Sequence, residues 1–177
     1  MLTTIDLHPL LKKIASQYKL KPHGAHGLSH WARVLENGLK LAELEGGDTT
    51  VISLFAIFHD ACRHNQARDP GHGERGAVLA GEILRDHPGV NRQQLEILQL
   101  ACRDHTDGKT DADLTVQICW DSDRLDLARV YINPSAKYLC TDAAKNKDIL
   151  AWANQRAKNR YTPDYVYNDW DPIFKLN

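Results

Sequence analysis

The sequence predicts an all-α protein that folds as a single helical bundle. Apolar residues recur at helical spacing in successive segments, and loops that contain glycine or proline separate these segments. No segment shows the strict alternation of a β-strand, and the chain contains no internal repeat. Its 177 residues are enough for one domain with one sizeable core.

The predicted helices follow one another with short connections. Ser29 is the expected N-cap of the second helix, which Gly46 and Gly47 end, and Asp48 and Thr49 are expected to cap the third. Pro134 could begin a further short helix, and the aromatic tail 161–177 is expected to pack back on the body. The third helix spans residues 51–58, and the other predicted helices span residues 7–20, 74–86, 92–105, 114–130 and 148–160.

Charge and cysteine usage narrow the class of function. The formal net charge is -1, which argues against binding to a nucleic-acid polymer or to an anionic membrane. A small anionic substrate needs only local positive charge. The four cysteines form no CxxC pair, and no apolar stretch has the length of a signal peptide or a membrane span. The sequence therefore predicts a cytoplasmic protein.

The most informative local feature is the pair His59-Asp60 at the end of the third helix. Residues 51–58 are apolar on almost every side, so this helix is expected in the middle of the core. A carboxylate carried into a core needs a cation or strong hydrogen-bond donors. The pair could therefore hold a divalent metal. The alternative is that both residues lie just past the helix end, where they cap carbonyls and contact water.

The wider pattern resembles the HD superfamily of metal-dependent phosphohydrolases. His30 stands before Arg33-Val34 on an amphipathic helix, His59-Asp60 follows the apolar helix, and Asp123 precedes Arg124-Leu125. The small single-domain bacterial hydrolases of this superfamily offer further matches. These are His72-Gly73, His105 and the run Asp121-Ser122-Asp123-Arg124-Leu125-Asp126, and together the matches cover roughly residues 25–130.

The resemblance implies one HD-type domain over residues 1–177, with the metal-binding core at about 25–130 and C-terminal helices and tail at 131–177. It implies that His30, His59, Asp60 and Asp123 bind one divalent ion, either Mn, Fe, Co, Ni, Zn or Mg. It also implies hydrolysis of a phosphoester or phosphoanhydride by metal-activated water, with Asp60 orienting that water.

Two further histidines, His72 and His105, are candidate catalytic residues. His105 lies on the apolar stripe of its helix, where a core role is the simpler expectation, but the resemblance assigns His72 and His105 to catalysis. They could face the substrate phosphate or bind a second ion. The sequence Asp104-His105-Thr106 lacks the double histidine of dinuclear relatives, which favours a single ion. His26 competes with His30, but its flanking glycines predict a loop, so His26 is expected at the rim of the pocket or without a role in the site.

The aspartate that completes the site is not decided by periodicity. Asp121 and Asp123 lie on different faces of their helix, and both faces are apolar. The family signature favours Asp123, with Asp121 as a rival ligand or as a group that orients a ligand. Arg63 and Arg33 are the predicted contacts of the substrate phosphate, because a guanidinium fork matches phosphate oxygens.

The predicted function is hydrolysis of a small phosphorylated molecule, with a nucleotide as the favoured class. One competing hypothesis is a non-catalytic module that senses a metal or a nucleotide, and a weaker one is a di-iron oxygenase. The aromatic tail 161–177 could form part of a homodimer interface.

Overall fold

The computed structural model describes residues 5–175, and in this range the chain forms helices and no β-strand. The predicted all-α class is therefore confirmed. The α-helices are α1 (His8–Ala15), α2 (Leu28–Glu45), α3 (Thr49–Phe58), α4 (His72–Leu84), α5 (Arg92–Asp104), α6 (Leu114–Arg124), α7 (Asp142–Lys145), α8 (Lys147–Lys158) and α9 (Asp171–Lys175). Within the described range, no helix combines the length and apolar character needed to cross a membrane.

Helix α3 lies at the centre of the bundle. Every residue from Thr50 to Phe58 is buried, and the helix packs against α2, α4, α5 and α6. Asp48 caps its N-terminus by accepting hydrogen bonds from the backbone N–H groups of Thr50 and Val51, as predicted. Each large apolar side chain buried here contributes about 1.5–3 kcal/mol. This burial carries the C-terminal end of α3, and with it His59-Asp60, into the interior.

Two glycines let α4 approach its neighbours closely. A Cβ atom on Gly73 would lie 2.4 Å from the carbonyl oxygen of Cys102 in α5. A Cβ atom on Gly76 would lie 2.5 Å from the carbonyl oxygen of Phe58 at the end of α3. Real Cβ atoms do not come this close to backbone oxygens, so these contacts require glycine at both positions. They fix the start of α4 against the ends of α3 and α5.

The C-terminal segment packs on the first two helices, as predicted. Phe174 in α9 makes edge-to-face contacts with Tyr18 and Trp31, at ring-centroid distances of 5.6 and 5.9 Å. Trp170 and Ile173 are also buried. Residues 176–177, the end of the predicted tail, lie outside the described residues.

Some predicted helix boundaries are wrong, and local features of the chain mark the observed ends. Helix α1 ends at Ala15 rather than at residue 20, since the Ser16 hydroxyl bonds to the carbonyl oxygen of Lys13 and the chain then turns. Helix α2 begins after Gly27, so Ser29 is not its N-cap. Helix α4 begins at His72, directly after Gly71, whose φ of 79° is left-handed.

The predicted helix 114–130 is divided in two. Helix α6 ends at Arg124, and a 3₁₀ turn, Leu127–Val130, follows. The break turns Asp126 inward, where its carboxylate bonds to His30 and Arg33. The helix expected from Pro134 is only a 3₁₀ turn, Ala136–Tyr138. The segment between these turns is largely exposed.

Candidate metal centre

Seven side chains of metal-binding type meet where the ends of several helices converge. His30 lies in the first turn of α2, His59 and Asp60 follow α3, and His72 begins α4. His105 caps the C-terminus of α5. The remaining two are Asp123, near the end of α6, and His26, in the loop before α2. Their potential ligand atoms form three overlapping groups of three residues, each group within 4.8 Å.

The first set of donors consists of His30, His59, Asp60 and Asp123. The Nε2 atom of His30 lies 3.1 Å from Nε2 of His59, 3.5 Å from Oδ2 of Asp60 and 3.4 Å from Oδ1 of Asp123. The Nε2 atom of His59 lies 3.6 and 4.0 Å from the same two oxygens. The four predicted metal ligands are thus within reach of one ion.

The second set of donors consists of Asp60, His72 and His105. The other carboxylate oxygen of Asp60, Oδ1, lies 3.2 Å from Nε2 of His72 and 3.9 Å from Nε2 of His105. The two Nε2 atoms are 3.0 Å apart. Asp60 therefore faces both sets, one with each oxygen.

Backbone and carboxylate acceptors orient all four buried imidazoles. Each has its Nδ1 within hydrogen-bond distance of an oxygen: Asp126 Oδ2 for His30, Phe55 O for His59, Asp69 O for His72 and Cys102 O for His105. Because an Nδ1–H donates to each of these oxygens, the proton on Nδ1 leaves a lone pair on Nε2. In the neutral rings these lone pairs point into the cluster, as in metal-binding histidines whose second nitrogen is hydrogen-bonded. Nε2 of His72 also lies 3.2 Å from the Asp60 carboxylate, to which it donates when the ring is protonated.

This donor set fits a divalent cation. The Nε2 atoms of His30 and His59 face each other at 3.1 Å. With both rings neutral and protonated on Nδ1, a shared cation would stabilise this arrangement. Ligand atoms on one zinc ion stand about 3 Å apart or more, since Zn–N distances are about 2.1 Å. In addition, Oδ1 of Asp123 is buried and has no hydrogen-bond partner among the described residues. The nearest protein cation, Nη2 of Arg129, is 3.7 Å from this oxygen, which is too far for a hydrogen bond. A bound metal ion would satisfy the oxygen directly.

The protonation states also suit a metal. Burial lowers the pKa of His59 to about 3 and also lowers the pKa of His105. Burial alone would raise the pKa of Asp60, but the surrounding imidazoles outweigh it and hold that pKa well below its usual value. Likewise, Arg129 and the nearby imidazoles outweigh burial and lower the pKa of Asp123. Neutral imidazoles and ionised carboxylates are the forms that bind metal.

His72 differs from His59 and His105 in its titration. Burial acts to lower its pKa, but the hydrogen bond and charge of Asp60 outweigh burial, so the pKa of His72 is raised. The Nη1 group of Arg63 lies 3.2 Å from Nε2 of His72 and 3.3 Å from Oδ1 of Asp60. The second set of donors is thus already in contact with a positive charge.

The contact of Arg63 and Arg33 with the substrate phosphate stays a prediction, and in this structure the donors of both side chains already have internal acceptors. Arg63 is buried, and besides its contacts with Asp60 and His72 it donates to the carbonyl oxygens of Asn65 and Ala67. Arg33 is also buried and uses its donors on other protein groups. Its Nε and Nη2 groups bond to the carboxylate of Asp126, and its Nη1 group bonds to the carbonyl oxygen of Tyr161. Internal acceptors satisfy both guanidinium groups.

The carboxylate of Asp121 is engaged with a segment outside the donor cluster, so nothing here supports it as a ligand. Its two carboxylate oxygens accept hydrogen bonds from the backbone N–H groups of Cys140 and Thr141 and from the Thr141 hydroxyl. It is fully buried and holds the segment after the turn Ala136–Tyr138. The residue that orients His30 is Asp126, which no local pattern in the sequence indicates.

The prediction for His26, a place at the pocket rim, underestimated it. Its Nδ1 atom lies 2.8 Å from Oδ2 of Asp60, and its side chain is only 12% exposed. The loop that carries it is closed by a hydrogen bond from the N–H of Leu28 to the carbonyl oxygen of Pro22. The spacing of four residues between His26 and His30 was the available signal.

A hollow of about 340 Å³ opens next to the cluster. His105 and Asp123 form part of its wall, and the Asp123 side chain is 13% exposed, whereas those of His30 and His59 are fully buried. The other wall residues include Arg124, Leu127, Ile132, Pro134, Tyr138 and Leu139. A small molecule in this hollow would contact the donor cluster.

Comparison with known proteins agrees with this picture. No protein-family model and no curated protein match the sequence. Among solved structures, the chain is similar to a predicted HD superfamily hydrolase from an uncultured Thermotogales bacterium, with 26% identity and a TM-score of 0.63. The similarity covers 98% of this chain and 94% of that chain. With the His/Asp cluster, it supports a metal-dependent hydrolase. The chain therefore has an HD-type helical fold and resembles the HD superfamily along almost its whole length.

Proposed function

We propose that this protein is a metal-dependent phosphohydrolase that acts on a small phosphorylated molecule, with a nucleotide as the favoured class. One observation carries the proposal: four imidazole nitrogens and two carboxylates converge in a buried cluster, beside a hollow of about 340 Å³. Pockets for small molecules are typically about 300–1,000 Å³, so the hollow suits a substrate of this kind.

The residues that would hold the ion are His30, His59, Asp60 and Asp123. Imidazole and carboxylate ligands suit Mn, Fe, Co, Ni or Zn, and Mg is compatible with the carboxylates. A bound divalent ion would lower the pKa of a water molecule and polarise the phosphoryl group. Four protein ligands leave coordination positions for water and substrate.

The protein's own groups supply orientation and charge. Asp60 is ionised, so its carboxylate can accept a hydrogen bond from the attacking water and hold that water in place. His72 and His105 lie 3.2 and 3.9 Å from Oδ1 of Asp60, which places them beside that water. His105 also borders the hollow and can contact the phosphate there. We therefore keep Asp60, His72 and His105 as the proposed catalytic residues.

We propose a single ion, held by the first set of donors. The second set has the donors for another ion, but the Arg63 guanidinium contacts both His72 and Asp60 there. A positive charge at this position disfavours a second cation. The predicted cytoplasmic location and homodimer remain predictions from the sequence.

The test combines metal analysis with a substrate panel. The protein is stripped with a chelator, reloaded separately with Mn, Fe, Co, Ni, Zn or Mg, and assayed for phosphate release from nucleotides and other phosphoesters. We expect activity only after reloading, and about one tightly bound ion per chain by elemental analysis. Full activity in excess chelator would contradict the proposal.

The same panel separates the competing functions. Binding of a nucleotide or metal without phosphate release from any substrate would favour a sensing module. Two iron ions per chain with oxygen consumption would favour an oxygenase. His59→Ala is the matched negative control, because it removes one donor from the first set.

A further inference from the structure

Arg124, the last residue of α6, has an unusual environment. It is only 7% exposed, and its Nη1 group donates to the carbonyl oxygen of Tyr138 at 2.7 Å and contacts the sulfur of Cys140 at 3.3 Å. Its guanidinium carbon lies 5.6 Å from the centre of the Trp120 ring. These contacts hold the side chain in one place on the wall of the hollow.

The other terminal nitrogen of Arg124 is not satisfied. Its Nη2 atom is buried and has no hydrogen-bond partner among residues 5–175. No carboxylate in this range lies within 4.0 Å of its guanidinium, whereas Arg33 and Arg129 both have Asp126 as a counter-charge. A buried cation without a counter-charge is costly, and so is a buried N–H without an acceptor. A ligand that brings a negative oxygen to the guanidinium would supply the counter-charge. Because Nη2 is closed to solvent in this conformation, it would reach that oxygen after a small shift of the side chain.

The hollow shows where such a ligand would lie. It places Arg124 on the same surface as Asp123 and His105, which belong to the donor cluster. Much of the remaining wall is apolar: Leu127, Ile132, Pro134 and Leu139. Ile132 and Tyr138 are large side chains that are more than half exposed at its edge. Apolar walls with a few polar groups are typical of sites that bind small organic molecules.

We infer that Arg124 is a substrate-binding residue that takes a negatively charged oxygen of the substrate in this hollow, while the organic part packs on the apolar wall. The inference rests on the proposed function, because it takes the hollow as the approach to the metal centre. The oxygen bound by Arg124 could belong to either of two groups of the substrate. One is the phosphoryl group that is cleaved, and the other is a second anionic group such as a carboxylate.

The test is a binding measurement. Metal-loaded wild-type protein, Arg124→Met and Arg124→Lys are titrated by calorimetry with inorganic phosphate, phenyl phosphate and 3-phosphoglycerate. Methionine keeps an apolar chain over Trp120 but removes the charge. Lysine keeps the charge but lacks the planar set of N–H donors of the guanidinium group. Arg92→Met is the control, since Arg92 is exposed and pairs with Glu96, away from the hollow.

We expect Arg124→Met to weaken binding by about tenfold to hundredfold, the effect of losing a hydrogen bond between charged groups, and Arg92→Met to leave it unchanged. An equal loss for all three probes identifies the phosphoryl group as the partner. A loss confined to 3-phosphoglycerate identifies a second anionic group. The affinity of Arg124→Lys for the probes should lie between those of Arg124→Met and the wild type. If Arg124→Met does not fold, Arg124→Lys replaces it in the comparison.

The inference would be overturned if all probes bound both Arg124 variants as tightly as wild type, or if none bound the wild-type protein. This experiment distinguishes failure of the role of Arg124 from failure of the proposed hydrolysis. If probes bind through Arg124 but no phosphate is released, the proposed hydrolysis fails while the binding role stands. If hydrolysis occurs with unchanged binding in the variants, only the role of Arg124 is wrong.

Discussion

His30 donates its Nδ1–H to the carboxylate of Asp126 across 2.7 Å, and both side chains are buried. The same carboxylate accepts two hydrogen bonds from Arg33, at 2.6 and 3.0 Å. The arginine fixes the aspartate, and the aspartate fixes the imidazole with Nε2 towards the donor cluster. The orientation of one proposed ligand thus depends on two residues that do not face the ion.

Asp126→Asn should weaken metal binding by about tenfold to hundredfold, the usual effect of losing a group that supports a ligand. The amide keeps the shape of the side chain but removes the charge that His30 and Arg33 share. Metal affinity is measured by competition with a chelating dye. Asp142→Asn is the control, because the Asp142 side chain is 99% exposed. Equal metal affinity in the two variants would contradict the supporting role of Asp126.

His59→Ala should reduce metal content and turnover strongly while leaving the helix content near that of the wild type. The imidazole belongs to the first donor set and is fully buried at the end of α3. His64→Ala is the matched control, since His64 lies five residues further on and is exposed. Circular dichroism measures helix content, and elemental analysis measures bound metal. Wild-type turnover of His59→Ala under limiting metal would show that the site is assigned wrongly.

The sequence was sufficient to predict the residues whose positions follow from local pattern. The run of apolar residues in α3 predicts a central helix, and a central helix carries His59-Asp60 inside. The family pattern then selected Asp123 rather than Asp121, and the structure brings Asp123 to within 3.4 Å of His30. These predictions depend on helical periodicity and on spacing along the chain, both of which the sequence contains.

Contacts between distant segments could not be predicted in this way. Asp126 lies 96 residues from His30, and no local signal pairs them. Arg63 and Arg33 were expected at the phosphate because guanidinium groups bind phosphate, but that chemistry does not tell whether internal oxygens already occupy the donors. His26 was underestimated because a loop between glycines was taken as peripheral, whereas tertiary contacts hold it against Asp60.

Asp123→Asn and Asp121→Asn should separate metal binding from folding. Asp123→Asn should lose metal by the larger factor, because it removes a charged donor from the first set. Asp121→Asn should leave metal affinity near wild type but lower the free energy of unfolding by about 1–3 kcal/mol. The reason is that the Asp121 carboxylate accepts hydrogen bonds from Cys140 and Thr141 in the interior. Dye competition and urea unfolding give the two quantities. The reverse order of metal loss would make Asp121 the ligand.

His26→Ala should weaken metal binding by roughly tenfold, because it removes the 2.8 Å contact that positions Oδ2 of Asp60. His23→Ala is the control in the same loop, since the His23 side chain is 48% exposed and pairs with Asp171 instead. Metal titrations of both variants at one pH give the comparison. If His26→Ala matched His23→Ala, the contact with Asp60 would have no role in binding.

The close approach of α4 to its neighbours has a consequence for how the protein can change over evolution. Gly73 and Gly76 supply no functional atom, yet any larger residue there would push α4 away from Cys102 and Phe58. That displacement would move His72 away from His105, its partner across 3.0 Å. In a collection of related sequences, we therefore expect positions 73 and 76 to vary as little as the histidines themselves.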